Sequence, residues 1–156
     1  MFDLQRAFHI GVAVADLDLA MQRMGAELKL QWASVRRFDP LPFWTPDHGL
    51  HEVSVSATYS RQGPLHLELV QGTGSFYAPG GQSQARHVGV WVEDLPAEAG
   101  RLVRAGWQVL AAGDAPASGY GAICYICAPD GSLLVELVST VLEPVIGAWI
   151  RGEALA

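Results

Sequence analysis

The sequence is short of charge, of cysteine and of long apolar runs. Charged residues make up 17% of the 156 positions, the formal net charge is -6, and no basic cluster interrupts the chain. A nucleic-acid-binding surface needs a basic footprint to displace counterions, so that class is excluded. An anionic membrane surface would need a polybasic segment, which is equally lacking. No stretch is long and apolar enough to span a bilayer. Met1 to Arg6 include Asp3 and no long apolar core, so they do not read as a secretory signal, and the cytoplasm is the expected location. The two cysteines, Cys124 and Cys127, lie in Ala122-Ile-Cys-Tyr-Ile-Cys-Ala128, which reads as a strand. Residues three apart on a strand face opposite ways, so these thiols are expected to pack separately and neither bond nor share a metal. Half of the residues are hydrophobic, enough for the core of one domain spanning 1–156.

What the chain does contain is itself, twice. Phe8-His-Ile-Gly-Val-Ala-Val-Ala-Asp-Leu17 returns 78 positions later as Arg86-His-Val-Gly-Val-Trp-Val-Glu-Asp-Leu95, with six of ten residues identical. Gly63-Pro-Leu-His-Leu-Glu-Leu-Val70 returns 68 positions later as Gly131-Ser-Leu-Leu-Val-Glu-Leu-Val138, with five of eight identical. Each repeat opens with an alternating strand, 8–14 or 86–92. An Asp follows where a helix N-cap belongs, Asp16 or Asp94. The helices carry apolar stripes, Leu17, Met21, Met24 and Leu28 in one, Leu95, Ala99, Leu102 and Val103 in the other, with Gly106 closing the second. Three strands come next, at about 30–37, 52–59 and 65–71, then at about 107–111, 121–127 and 132–138. The class is α+β: module one over about 8–71, a Gly/Ser/Gln-rich linker over 72–85, module two over about 86–138, and a C-terminal helix over about 141–151.

Strand alternation separates the side chains by face. Ile10, Val12 and Val14, and Val88, Val90 and Val92, share the face that packs on helices. His9 and His87 take the other face, beside Gly11 and Gly89. On the final strands Glu68 and Glu136 oppose Leu67 and Leu69, and Val135 and Leu137. An ionised Glu buried in an apolar strand without a partner costs several kcal/mol, so each needs a cation, donors or water. With the modules related by a pseudo-two-fold axis, His9, Glu68, His87 and Glu136 converge. Two imidazoles and two carboxylates suit one divalent ion such as Zn, Ni, Co, Mn or Fe. His66 shares the face of Glu68 and is an alternative ligand. Phe38 to Gly49 reads as a long aromatic loop, from which Phe43 and Trp44, with Trp91, are expected to bind substrate.

These motifs resemble the vicinal oxygen chelate superfamily, the glyoxalase and bleomycin-resistance fold, over residues 8 to 138. The nearest members are methylmalonyl-CoA epimerase-like and glyoxalase-like. The resemblance implies two tandem βαβββ modules forming a curved, mostly antiparallel sheet that cups a metal, with helices outside and, in many members, a homodimer. It implies the same four ligands. It also implies an acidic base near the start of the third strand, at Glu52 by ungapped counting or at Asp47 by a local Pro-Asp-His-Gly match.

The chemistry that follows is removal of a proton beside a carbonyl, with the ion stabilising the enolate charge and Glu52, or Glu136 itself, acting as base. That describes an isomerase, epimerase or lyase acting on a small carbonyl compound such as an acyl-CoA thioester or hemithioacetal. Two other classes use related frames. An extradiol-type dioxygenase needs iron on two His and one carboxylate, which leaves His9 superfluous. A non-catalytic drug- or metabolite-binding protein generally lacks the ligand set.

Overall fold

Both repeats fold as strand, helix and three strands. The computed structural model describes residues 1–78 and 86–154. Module one comprises β1 (Ala7–Ala13), α1 (Leu17–Leu28), β2 (Arg36–Thr45), β3 (Gly49–Tyr59) and β4 (His66–Gly72). A one-turn helix, α2 (Gly74–Tyr77), follows. Of the expected linker, 79–85 lie outside the described residues, as do the terminal positions 155 and 156. Module two comprises β5 (His87–Val92), α3 (Leu95–Arg104), β6 (Gln108–Ala112), β7 (Ile123–Cys127) and β8 (Leu134–Ser139), followed by α4 (Glu143–Arg151).

The strands run β1-β4-β3-β2-β6-β7-β8-β5 and curl until the ends meet. Among the described residues only β1 with β4 and β5 with β8 pair in parallel. The modules join along two seams. One is the antiparallel ladder of β1 and β5; the other is the single registered pair Trp44 and Ala112 between β2 and β6. The result is a barrel-like cup with helices outside. No described helix is long and apolar enough to cross a membrane.

Local chemistry explains the elements. The Asp16 carboxylate accepts from the Leu19 N–H at 2.9 Å and that of Asp94 from the Ala97 N–H at 3.0 Å, capping α1 and α3. Gly106 takes φ +93 beyond α3, a left-handed turn open to glycine. The stripes are narrower than expected. Leu28 and Val103 face solvent, and Glu98 is buried on α3 in their stead. Its carboxylate accepts from the Phe2 N–H at 2.9 Å and pairs with Arg101.

One strand moves. Of the segment expected as strand 30–37, residues 30–35 hold only an isolated bridge, Trp32 to Ser60, while 36 and 37 open β2 and the expected loop from Phe38 becomes most of it. Pro40 and Pro42 argue against a central strand because they cannot donate to a ladder. They are tolerated because β2 meets β6 only at Trp44, so its proline stretch is in effect an edge. The register slips between Phe38 and Leu41, around those prolines.

Two apolar clusters result. The cup interior holds Phe8, Phe43, Val55, Tyr59, Tyr125 and Trp149 among others. A second cluster packs under α3, with Val90, Val92, Leu102, Ile126 and Leu137. Cys124 joins the outer cluster and Cys127 packs on the inner one, so the two thiols do face opposite ways. Helix α4 docks through Trp149, whose Nε1–H donates to the Ser34 carbonyl at 2.6 Å.

Truncation should separate core from surface. Leu137→Ala, at 0% exposure, should lower stability by about 2–5 kcal/mol. Leu28→Ala, at 59% exposure, should stay within about 0.5 kcal/mol. Chemical denaturation midpoints measure both, and equal losses would contradict the packing.

Candidate metal centre

The site is built from two rows of four residues running across the strands. Tyr59 on β3 pairs with Glu68 on β4, Glu68 with Gly11 on β1, and Gly11 with His87 on β5. In the other row Tyr125 on β7 pairs with Glu136 on β8, Glu136 with Gly89 on β5, and Gly89 with His9 on β1. Each row therefore reads Tyr-Glu-Gly-His and takes its histidine from the opposite module.

The glycines are required by space rather than by backbone angle. A Cβ on Gly11 would lie 1.9 Å from Cε1 of His87, and one on Gly89 would lie 1.9 Å from Cε1 of His9. Each missing side chain makes the hollow into which the other module's imidazole lies. Glutamate and histidine of one row can then approach each other over the bare Cα.

The four donors meet in a buried cluster, their ligand atoms all within 4.8 Å of one another. The His9 and His87 Nε2 atoms are 3.2 Å apart. Oε2 of Glu136 lies 2.9 Å from His9 Nε2 and 3.4 Å from His87 Nε2. Oε2 of Glu68 lies 3.4 Å from both. Both of these Oε2 atoms are buried without a hydrogen-bond partner, as is Nδ1 of His9. Metal–donor bonds of about 2.1 Å would put neighbouring donors about 3.0 Å apart in an octahedron and about 3.4 Å apart in a tetrahedron. The observed separations match such edges, and the orphaned carboxylate oxygens need the charge an ion would bring. The donor set therefore fits a divalent ion.

Electrostatics in the protein alone run the same way. Burial would push the His87 imidazole down, but Glu136 and Glu68 outweigh it and raise it to about 9. Burial would push the Glu136 carboxyl up, but His87 and His9 hold it down at about 2. Tyr59 and Tyr125 are raised well above the ordinary phenol value, first by burial and then by the two carboxylates. They remain protonated donors at neutral pH.

A cavity of about 340 Å³ opens on the carboxylates of Glu68 and Glu136. Phe38, Leu41, Val55, Tyr77, Tyr125 and Trp149 are among its walls. The Tyr77 and Tyr125 hydroxyls are hydrogen-bonded to each other at 3.2 Å.

Several expected site residues lie elsewhere. Glu52 is exposed and falls between the inward positions His51 and Val53, so alternation aims it outside the cup, away from the donors. Asp47 sits in the exposed turn between β2 and β3, where the Thr45 hydroxyl and then His48 hold its carboxyl at about 2. His66 packs over Gly63 and donates from Nδ1 to the Ser60 carbonyl at 2.8 Å, apart from the cluster. Phe43 is fully buried against Phe76 and Tyr77, Trp44 packs on the cluster under α3, and Trp91 stacks on Phe8 at 3.8 Å. None of the three lines the cavity. The aromatic walls are instead Phe38, Tyr77, Tyr125 and Trp149. The row tyrosines belong to the repeat but are spaced differently in it. Tyr59 precedes its glutamate by nine positions and Tyr125 by eleven, because the hairpins between them differ by two residues.

Two outcomes follow. Gly89→Ala should displace His9, lower zinc affinity by about 10–100-fold and cost about 1–3 kcal/mol. Gly100→Ala on α3, where only the flexible tip of Arg104 is near, should instead add about 0.5–1 kcal/mol. Zinc titration and denaturation report both. Second, a metal takes neutral imidazole, so below about pH 9 its binding must displace the His87 proton. Zinc affinity should rise with pH toward that value, with release of about one proton at neutral pH. Calorimetry in buffers of different ionisation heat measures the release, and its absence would contradict the protonated state.

Comparison with known proteins agrees with this architecture. A family model described as Glyoxalase/Bleomycin resistance protein/Dioxygenase superfamily matches residues 8–125. No curated protein matches by sequence. Among solved structures, methylmalonyl-CoA epimerase from Mycobacterium tuberculosis is similar at TM-score 0.51 and 18% identity, covering 89% of this chain and 92% of that one. The Streptomyces coelicolor methylmalonyl-CoA epimerase in complex with 2-nitronate-propionyl-CoA gives 0.50 and 19%, covering 86% and 96%. A hypothetical protein from Bacillus halodurans gives 0.51 and 17%, covering 85% and 92%. At such identities the likeness is one of fold. The family match extends over most of the chain, through both repeats of the His-x-Gly-Val strand, and the chain belongs to the glyoxalase/bleomycin resistance protein/dioxygenase superfamily.

Proposed function

We propose that His9, Glu68, His87 and Glu136 hold one divalent metal ion, and that the protein is an isomerase, epimerase or lyase acting on a small carbonyl compound by α-proton transfer. The observation that carries this reading is the convergence of four buried donors, two of them carboxylates with orphaned oxygens, beside an apolar cavity. Similarity in fold to methylmalonyl-CoA epimerases supports the reaction class. All four donors come from one chain. The ion would supply Lewis-acid polarisation of a carbonyl oxygen.

The chain's own residues would do the rest. Glu68 and Glu136 are the only acids on the cavity wall among the described residues, so one of them takes the proton. Glu136 is the assigned base. The Tyr77–Tyr125 pair uses one hydroxyl hydrogen in its own bond and leaves the other free to donate to a developing oxyanion. The apolar walls exclude water and strengthen both interactions. A dioxygenase site of two His and one carboxylate would leave one of the four donors without a role.

The purified protein should contain a divalent metal and exchange an α-proton of a carbonyl substrate with deuterated water, read by mass or NMR. Glu136→Gln should lower the exchange rate by about 10²–10⁴-fold. Exchange at the wild-type rate in metal-free Glu136→Gln protein would sink the proposal.

A further inference from the structure

The turn Pro46-Asp47-His48-Gly49 carries chemistry that the central cup does not use. It joins β2 to β3, and His51 stands three positions beyond His48, on the strand. The two imidazole rings lie 5.5 Å apart between centroids, tilted by 47°. His48 is exposed, and His51 is half-buried with its ring 6.3 Å from that of Phe43. Both rings are held through the same nitrogen. Nδ1 of His51 donates to the Gly49 carbonyl at 2.8 Å. Nδ1 of His48 lies 2.9 Å from Oδ2 of Asp47. An oxygen beside Nδ1 keeps the proton there, so each neutral ring presents its lone pair at Nε2. Imidazoles that ligate metals are commonly anchored in this way, through the other ring nitrogen to a carbonyl or a carboxylate.

The spacing fits as well. With a metal–nitrogen bond of about 2.1 Å, a ring centroid stands about 3.2 Å from the ion, and a tetrahedral angle then sets two centroids about 5.3 Å apart. The pair on the turn has 5.5 Å, and the rings of His9 and His87 in the central cluster have 5.3 Å. His66 provides the contrast. Its Nδ1 is engaged by the Ser60 carbonyl in the same manner, but among the described residues no second imidazole pairs with it.

We propose that His48 and His51 form a second metal site, at the tip of the β2–β3 hairpin, which takes one divalent ion such as zinc, nickel or copper through the two Nε2 atoms, with Asp47 orienting His48. Among the described residues no third donor completes the set, so water holds the other positions and the ion is exchangeable. The site uses none of His9, Glu68, His87 and Glu136 and stands apart from the reaction proposed above.

The test is a zinc titration of the full chain, prepared without a histidine tag, by calorimetry, with nitrogen NMR of the imidazole rings. A weakly bound equivalent of zinc should shift Nε2 of His48 and of His51 and leave their Nδ1 signals nearly in place. His48→Ala and His51→Ala should each weaken that equivalent by at least about tenfold, and Asp47→Asn by about tenfold, the low end for an orienting partner because the pair is exposed. His66→Ala should leave it unchanged. His48→Ala removes an exposed ring and carries the test if His51→Ala does not fold. A weak equivalent that survives His48→Ala undiminished, or rings that do not respond to zinc in excess, overturns the proposal. Failure of the four buried donors to bind would remove only the tight equivalent, so the two sites are judged separately.

Discussion

Two carboxylates inside an apolar cup are the constraint on which the rest of this structure depends. Glu68 and Glu136 are almost wholly buried, and each keeps one oxygen without a hydrogen bond. An arrangement of this kind survives only where positive charge or donors are brought to it, and the protein brings the imidazoles of both modules to the two carboxylates. That requirement fixes the neighbours. Imidazole and carboxylate must approach across three adjacent strands, so the strand between them must carry no side chain at the crossing. Gly11 and Gly89 meet that condition. The two modules are consequently interlocked: a histidine of one occupies the hollow of the other, and neither half-site is complete alone.

The frame around the donors is close to symmetric, while its surroundings are not. The rows Tyr59-Glu68-Gly11-His87 and Tyr125-Glu136-Gly89-His9 repeat residue for residue. Outside them, α3 buries Leu95, Glu98, Ala99 and Leu102, whereas α1 fully buries only Leu17. Tyr77, from the short helix after module one, leans on Tyr125 and has no counterpart partnering Tyr59 in a hydrogen bond among the described residues. Nearly symmetric donors thus sit in an asymmetric wall.

How much of this could be read in the chain depends on the range of the physics involved. The convergence of the four side chains was legible because duplication brings two copies of each signal, and because an acid in an apolar strand is conspicuous. The paired glycines beside the histidines were visible as small residues, though the reason for them lies across a ladder that no local pattern reveals. The class α+β and the barrel-like cup followed from strand periodicity together with the family resemblance. Strand β2 was not legible, since Pro40 and Pro42 mark a non-strand unless it is known that one side of the ladder is nearly empty there. Counting back to Glu52 failed for a related reason. Parity is set by the true strand, and in β3 the odd-numbered residues His51, Val53, Val55, Ala57 and Tyr59 point inward. The row tyrosines escaped because two extra residues in one hairpin break the repeat's spacing although the ladder restores it.

The outward turn of Glu52 has a consequence for the chemistry. A base set apart from the ion-binding donors leaves those donors fixed while the proton moves. Here, among the described residues, the acids that reach the cavity are the candidate donors themselves, so on the proposed reading proton transfer and ion binding would draw on the same two side chains. The donors are not held alike. Glu136 lies 2.9 Å from His9, whereas Glu68 keeps 3.4 Å from both histidines. A shared role is workable only if the remaining three donors hold the site when one carboxylate turns toward substrate, and the buried, interlocked histidines are suited to that. On the proposed reading the redundancy of a four-donor set would be part of the mechanism, since four donors would let one be released and leave three behind.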